Sequence, residues 1–136
     1  MTSNELFRGL LAAVSARKPE LPGDHDAIHR AFFKVLQEVR KPEVQAQLAL
    51  EDLIEIDFDP LYGQSGWFDK ALTRAQRDQI ISFPNPAYDR ITIRYDDDAR
   101  NAILSKLGST PTLRHLANIF VDHLERTGTD RVDITI

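Results

Sequence analysis

Apolar residues recur at steps of three and four along much of the chain, which is the spacing of a helix with one buried face. In the first such stretch Leu6, Leu10 and Val14 share a face. Thr2 and Glu5 before them have the spacing of a capping box, and Pro19 follows as a stop. The same spacing predicts helices over about 3–17, 25–40, 43–51, 67–77, 99–107 and 110–126. Each of these helices has an apolar face that the rest of the fold must cover.

Four short stretches have the composition or the period-two alternation that is typical of strands. They lie at 53–59, 79–83, 90–95 and 131–136. A proline-containing turn joins the second stretch to the third, so these two form a hairpin. Together the elements predict one α+β domain over residues 1–136, in which about five of these helices pack on a small, mostly antiparallel sheet of about four strands.

The helix predicted over 67–77 runs directly into the hairpin of 79–95, and together they form a winged-helix-like unit. Lys70, Arg74 and Arg77 fall at i, i+4 and i+7, so they line one side of the helix beside its apolar face. Arg90 and Arg94 continue the positive charge onto the hairpin. In such a unit the helix enters the major groove of DNA and the hairpin touches the backbone, which makes DNA binding one candidate function.

Composition and charge narrow the classes of protein to consider. The chain has no cysteine, which excludes disulfides, a thiol nucleophile and cysteine metal sites. Its net charge of -4 argues against broad nucleic-acid binding, because phosphate contacts need clustered Lys and Arg. No apolar run approaches the roughly 20 residues that cross a bilayer, and the first residues lack the basic charge of a signal peptide. We therefore expect a cytoplasmic protein without membrane contact and without a cofactor.

Three patterns carry candidate chemistry, and each has a structural explanation as well. His25 and His29 stand four apart on a predicted helix and could share a metal ion, but no third ligand matches them. Asp57 and Asp59 face one side of a strand, as some hydrolytic acid pairs do, yet a solvated sheet face gives the same spacing. Ser65 lacks the second glycine of the nucleophile pattern Gly-x-Ser-x-Gly. We therefore expect no enzymatic activity, no catalytic residue and no metal site.

The acidic stretch from Glu51 to Asp59 is the other candidate recognition surface. Glu55, Asp57 and Asp59 alternate along one predicted strand, and the aromatic residue Trp67 follows shortly afterwards. A concentrated negative surface attracts a basic partner and accelerates its association. The first expectation is therefore a non-catalytic module that binds a protein partner, as adaptor, antitoxin and immunity proteins do, with DNA binding as the alternative.

Two further expectations concern the strands. The carboxylates of the strand at 53–59 are expected to lie opposite Arg90 and Arg94, and such cross-strand ion pairs would weaken the case for DNA binding. The alternating strand at 131–136 ends the sequence and fits either the interior of the sheet or its edge. At the edge it could pair with a second copy of the chain and form a homodimer.

Overall fold

The computed structural model describes residues 1–22, 25–49, 58–59, 64–82, 90–108 and 110–134. Within these ranges the chain forms helices, a small sheet and a separate strand pair, which is an α+β arrangement dominated by helices. In chain order the elements are α1 (Ser3–Arg17), β1 (Glu20–Pro22), α2 (His25–Val39), α3 (Pro42–Leu48), β2 (Phe58–Asp59), β3 (Gln64–Ser65), α4 (Gly66–Arg77), β4 (Ile81–Ser82), β5 (Arg90–Ile93), α5 (Asp97–Leu107) and α6 (Thr110–Ile134).

Local capping chemistry explains where several helices begin and end. At the start of α1 the amide of Glu5 donates to Thr2 Oγ1 at 3.2 Å, and the amide of Thr2 donates to Glu5 Oε1 at 3.0 Å. This is the reciprocal capping box that the sequence predicts. The amide of Ala99 donates to Asp96 Oδ1 at 2.7 Å at the start of α5, and Gly108 ends that helix at a φ of 75°.

Helix α1 lies at the centre of the helical layer, packed against α5 and α6, and it is buried almost all round over its second half. Gly9 allows this close approach. A Cβ atom at Gly9 would lie 2.7 Å from Leu107 Cδ1 and 3.0 Å from Leu113 Cδ1. Helix α6 also packs along α2, so α1, α2 and α6 share one hydrophobic core.

The main sheet has three antiparallel strands in the order β1-β5-β4. Leu21 of β1 pairs with Ile91 of β5, and Ile81 of β4 pairs with Ile93 on the other side of β5. All four side chains are buried. These side chains pack the sheet against the helices, because one side of each strand faces the hydrophobic core. Strands β2 and β3 form a separate antiparallel pair.

The strand predictions are confirmed in part. Strands β4 and β5 pair as predicted, but the described residues form a sheet of three strands and a separate pair instead of one sheet of four. Strand β1 lies outside the predicted strands, and it forms because β5 supplies its hydrogen-bonding partner. Of the strand predicted over 53–59, only Phe58 and Asp59 lie within the described residues, and they pair with β3, which also lies outside the predicted strands.

The strand predicted over 131–136 is wrong as far as the structure describes it. Residues 131–134 continue α6, which extends without interruption from Thr110 to Ile134. Extending an existing helix adds one hydrogen bond for each residue fixed, whereas a new strand needs a partner strand. A homodimer that pairs through a C-terminal strand therefore lacks its structural basis. No helix in the described ranges is both long enough and apolar enough to cross a membrane.

Candidate functional site

Helix α4 exposes a basic surface opposite the face with which it packs. Its apolar residues Phe68, Ala71, Leu72 and Ala75 are all buried. The exposed residues Lys70, Arg74 and Arg77 project from the other side, within an arc of about 60° at 100° per residue. We call these three residues the basic stripe. The amphipathic pattern of the sequence therefore produces the predicted arrangement.

Aromatic packing fixes α4 against α1 and α2. The ring of Phe68 stacks on Phe32 of α2 with centroids 3.9 Å apart, and it meets Phe7 of α1 edge-on at 5.9 Å. The half-buried Trp67 also stacks on Phe32, with centroids 5.8 Å apart. His29 of α2 meets Phe68 edge-on at 4.9 Å. These contacts determine how far α4 stands from the core and which of its sides faces outward.

The acidic residues that flank the basic stripe do not form ion pairs with it. Asp69 lies beside α2 instead, with its Oδ1 atom 3.8 Å from His29 Nε2. Arg74 Nη1 lies 3.5 Å from the amide oxygen of Asn4, at the limit of a hydrogen bond. In the described part of the chain, no carboxylate pairs with the charged groups of the stripe. Their positive charge is therefore directed to solvent.

The hairpin that follows α4 is held by a third strand. The amide of Arg94 donates to the carbonyl of Ile80 at 2.7 Å, which closes the hairpin next to the end of α4. On the other side of β5, the amide of Ile93 donates to the carbonyl of Pro19 at 2.8 Å, next to β1. Because β5 is bonded on both sides, the hairpin cannot swing independently of the helices to which the sheet is fastened.

The two arginines of the hairpin differ in their partners. Arg90 Nε lies 2.6 Å from Glu20 Oε1 of β1, so its charge is partly compensated. Arg94 Nε donates to Ser82 Oγ at 3.2 Å, and this neutral partner does not compensate the positive charge of Arg94. The prediction that both arginines lie opposite the acidic strand at 53–59 is wrong, because β5 has β1 and β4 as its neighbours.

A small cleft between α1 and α4 places a further basic residue, Arg8, beside the basic stripe. The cleft holds about 60 Å³, and its lining includes the apolar residues Phe7, Leu11 and Ala75 and the charged residues Arg8, Arg74 and Asp78. Arg8 is not among the site residues predicted from the sequence. It is an exposed residue in a helix that is otherwise largely buried, and this polar interruption of an apolar stretch was the available signal.

The other predicted site residues are only partly described. Glu55 and Asp57 lie outside the described residues. Asp59 belongs to β2, where it pairs with Gln64 of β3, and its side chain lies outside the described part. The pairing of β2 with β3 places the end of the acidic stretch next to the start of α4, where Trp67 is half-buried.

The two histidines that were considered as metal ligands do not form a described site. His25 begins α2, and its side chain lies outside the described part. His29 is 1% exposed and packs against Phe68. Across the ranges that the structure describes, no group of three or more His, Cys, Asp or Glu residues is placed to hold a metal ion.

Tyr95, directly after the hairpin, is half-buried next to the basic surface. Burial raises the pKa of its hydroxyl, and the positive charge of Arg8 opposes that rise. Its Oη atom is buried without a hydrogen-bond partner among the described residues.

Comparison of the chain with protein-family models, with curated proteins and with solved structures gives no match.

Proposed function

We propose that the protein is a non-catalytic, winged-helix-like module that binds double-stranded DNA through α4 and the hairpin of β4 and β5. The observation that carries this proposal is the basic stripe of Lys70, Arg74 and Arg77, exposed on a helix that leads straight into an anchored hairpin. The sheet order β1-β5-β4 supports it, since β1 gives the hairpin a fixed position relative to α4.

The dimensions of α4 suit the major groove. Its 12 residues span about 18 Å, and the major groove of B-DNA is about 12 Å wide and accepts one helix. In that position the basic stripe would contact phosphates or base edges along the groove. Arg94 on β5 would contact the backbone beside it, because phosphate contacts fix the orientation of a protein on the duplex.

The net charge of -4 does not oppose this proposal once the position of the charge is considered. Glu51, Asp52, Glu55, Asp57 and Asp59 lie within one short stretch that contains no Lys or Arg. These five charges exceed the net charge of the whole chain, so the remaining residues carry a slight positive excess. Association with DNA depends on the local potential at the contact surface as well as on the total charge.

The test is to reverse the charge of the stripe. We expect Arg74→Glu/Arg77→Glu to weaken binding to a mixed-sequence duplex by at least about tenfold in fluorescence anisotropy, and to lower the slope of log K against log salt by about two. Both side chains are exposed, so the variant should fold. The matched control is Arg40→Glu/Arg114→Glu, which reverses two exposed arginines outside α4. Equal affinities for all three proteins would disprove the proposed surface.

Binding of a protein partner is the second candidate function. One observation favours it: the pairing of Asp59 with Gln64 brings the end of the acidic stretch next to α4, where Trp67 is half-buried. A negative surface beside an aromatic residue would suit a basic peptide segment, because aromatic residues are frequent anchors at interfaces. The two candidates use surfaces of opposite charge, so one set of charge variants separates them.

A further inference from the structure

Helices α2 and α6 pack side by side, and an open groove of about 290 Å³ lies at their surface. Lys34 of α2 and His123 and Arg126 of α6 line this groove. Arg30 lies one helical turn before Lys34, and its charge also reaches His123. Three basic side chains from two helices therefore line one groove, with Arg30 one helical turn away, and we call it the α2–α6 groove.

This groove is separate from the basic stripe. Phe32, which packs on α4, lies about 160° around α2 from both Arg30 and Lys34 at 100° per residue. Helix α4 therefore covers one side of α2, and the groove lies on the opposite side. A DNA duplex seated on the basic stripe would not reach it without wrapping around the helical layer.

The charges around the groove are not balanced by nearby acids. Asp122 is the one acidic residue among the lining residues, and its Oδ1 atom lies 3.0 Å from Arg17 Nη2 of α1. Within the described part of the chain, no carboxylate forms an ion pair with Arg30, Lys34 or Arg126. Like charges held close together repel, so this arrangement favours an anion between them.

The electrostatic state of His123 agrees with this description. Burial lowers the pKa of its imidazole, and the positive charges of Lys34, Arg126 and Arg30 lower it further. The three cations act in the same direction as burial, which is the larger cause, so the charges around the ring disfavour its protonated form. An anion in the groove would reverse that field and favour the protonated, donating form of the imidazole.

We propose that the α2–α6 groove binds a phosphate group of a small phosphorylated ligand, held by Lys34, His123 and Arg126, with Arg30 adding positive charge one helical turn away. Guanidinium groups form paired hydrogen bonds with tetrahedral oxyanions, and the lysine ammonium acts as a point charge. Three permanent positive charges favour a group with two negative charges over a single carboxylate. This site is independent of DNA binding by α4.

The first experiment titrates the intact protein with inorganic pyrophosphate at constant ionic strength and follows amide shifts by NMR. We expect saturable shifts in α2 and α6, much weaker binding of acetate, and a loss of pyrophosphate affinity of about tenfold or more in Lys34→Gln/Arg126→Gln. The control is Arg40→Gln/Arg114→Gln, which removes two exposed arginines outside the groove and should bind like the wild type.

A second arm measures the imidazole of His123 with sulfate, whose charge does not change across the titration range of histidine. We expect bound sulfate to raise the pKa of His123, and sulfate affinity to rise as the pH falls through that pKa. The groups that face the ring are Arg30, Lys34, Arg126 and Asp122, and the first three stay charged throughout. If His123 had only a structural role, bound sulfate would not change the pKa of its imidazole.

Parallel titrations with a phosphoserine peptide and its unphosphorylated form identify the source of the phosphate. Tighter binding of pyrophosphate than of the phosphoserine peptide is expected, and it supports a small free ligand as the source. Three results would overturn the proposal: no saturable shift with pyrophosphate, equal affinity in the two double variants, or loss of duplex binding in Lys34→Gln/Arg126→Gln, which would assign the groove to the DNA surface.

Discussion

Phe68 connects the core of the protein to its candidate surface. The residue is 1% exposed and touches rings from both α1 and α2, while the next turns of its helix carry Arg74 and Arg77 outward. Stacked and edge-on aromatic contacts add to the free energy of burial and have preferred geometries. Phe68 therefore contributes both to stability and to the orientation of the basic stripe.

We expect Phe68→Ala to lower the free energy of unfolding by about 3–5 kcal/mol, because it removes a buried ring and leaves a cavity between three helices. Phe68→Leu keeps most of the volume and should cost less. Urea unfolding measures both variants. If Phe68→Ala costs no more than Phe68→Leu, then the aromatic cluster does not hold α4 in the way described.

At the scale of elements, the helices are connected by polar contacts as well as by the core. Glu38 of α2 accepts from Lys41 Nζ at 2.9 Å at the junction with α3, and its other oxygen lies 3.0 Å from His115 Nε2 of α6. Two elements are thus joined to α2 by one carboxylate. The hydrogen bond with His115, followed by that with Lys41, lowers the pKa of Glu38.

This lowered pKa makes stability depend on pH in a defined direction. The folded state holds the proton of Glu38 less tightly than the unfolded chain, so the contribution is present above the ordinary pKa of 4.5 and is lost as the pH falls through the lower folded pKa. We expect Glu38→Gln to flatten the fall of unfolding free energy with pH below about 4.5. Urea unfolding at a series of pH values measures the slope.

The control for this prediction is Glu43→Gln, which removes an exposed carboxylate from α3. This variant should leave the slope of unfolding free energy against pH unchanged below about 4.5, so that its pH profile follows the wild type. A Glu38→Gln profile parallel to that of the wild type would show that the contacts with His115 and Lys41 are not formed in solution.

At the scale of the whole molecule, opposite charges are segregated along the chain. The stretch from Glu51 to Asp59 holds five acidic residues, whereas the basic stripe and the α2–α6 groove gather basic ones. An acidic stretch repels DNA at long range even where it does not touch it, and it attracts a basic peptide. The total charge of the protein therefore does not describe its surface, because acidic and basic regions that attract different partners lie in separate places.

Neutralising part of the acidic stretch separates the two candidate functions. We expect Glu55→Gln/Asp57→Asn/Asp59→Asn to raise duplex affinity at low salt, because it removes long-range repulsion. If the protein binds a protein partner instead, the same variant should lose binding to a lysine-rich probe peptide while DNA binding stays undetectable. Fluorescence anisotropy with both probes measures the outcome.

A scattered variant with the same change in total charge is the matched control: Asp26→Asn/Glu43→Gln/Asp98→Asn. It should raise duplex affinity to a similar extent, because the effect on DNA depends on the overall field. It should leave peptide binding unchanged, because that binding would need the clustered carboxylates. Unchanged duplex affinity in both triple variants would contradict the role assigned to the acidic stretch.

The sequence predicted features that depend on neighbours along the chain. The capping box of Thr2 and Glu5, the amphipathic face of α4 and the hairpin after it were all readable, because each follows from spacing within one element. The three-residue strand β1 was missed, since it carries Pro22 and has no alternation long enough to detect. The strand expected at 131–136 failed for a related reason: a few alternating residues do not distinguish a strand from a continuing helix.

The sequence by itself determined which segments become helices, which side of α4 carries the basic residues and where the acidic charge is concentrated. The tertiary structure alone decided that β5 lies between β1 and β4, that Arg90 meets Glu20, and that Lys34 and Arg126 border one groove. The physical reason is range. Helical periodicity and capping act over a few residues, whereas strand order and charge clusters depend on how distant segments pack around a common core.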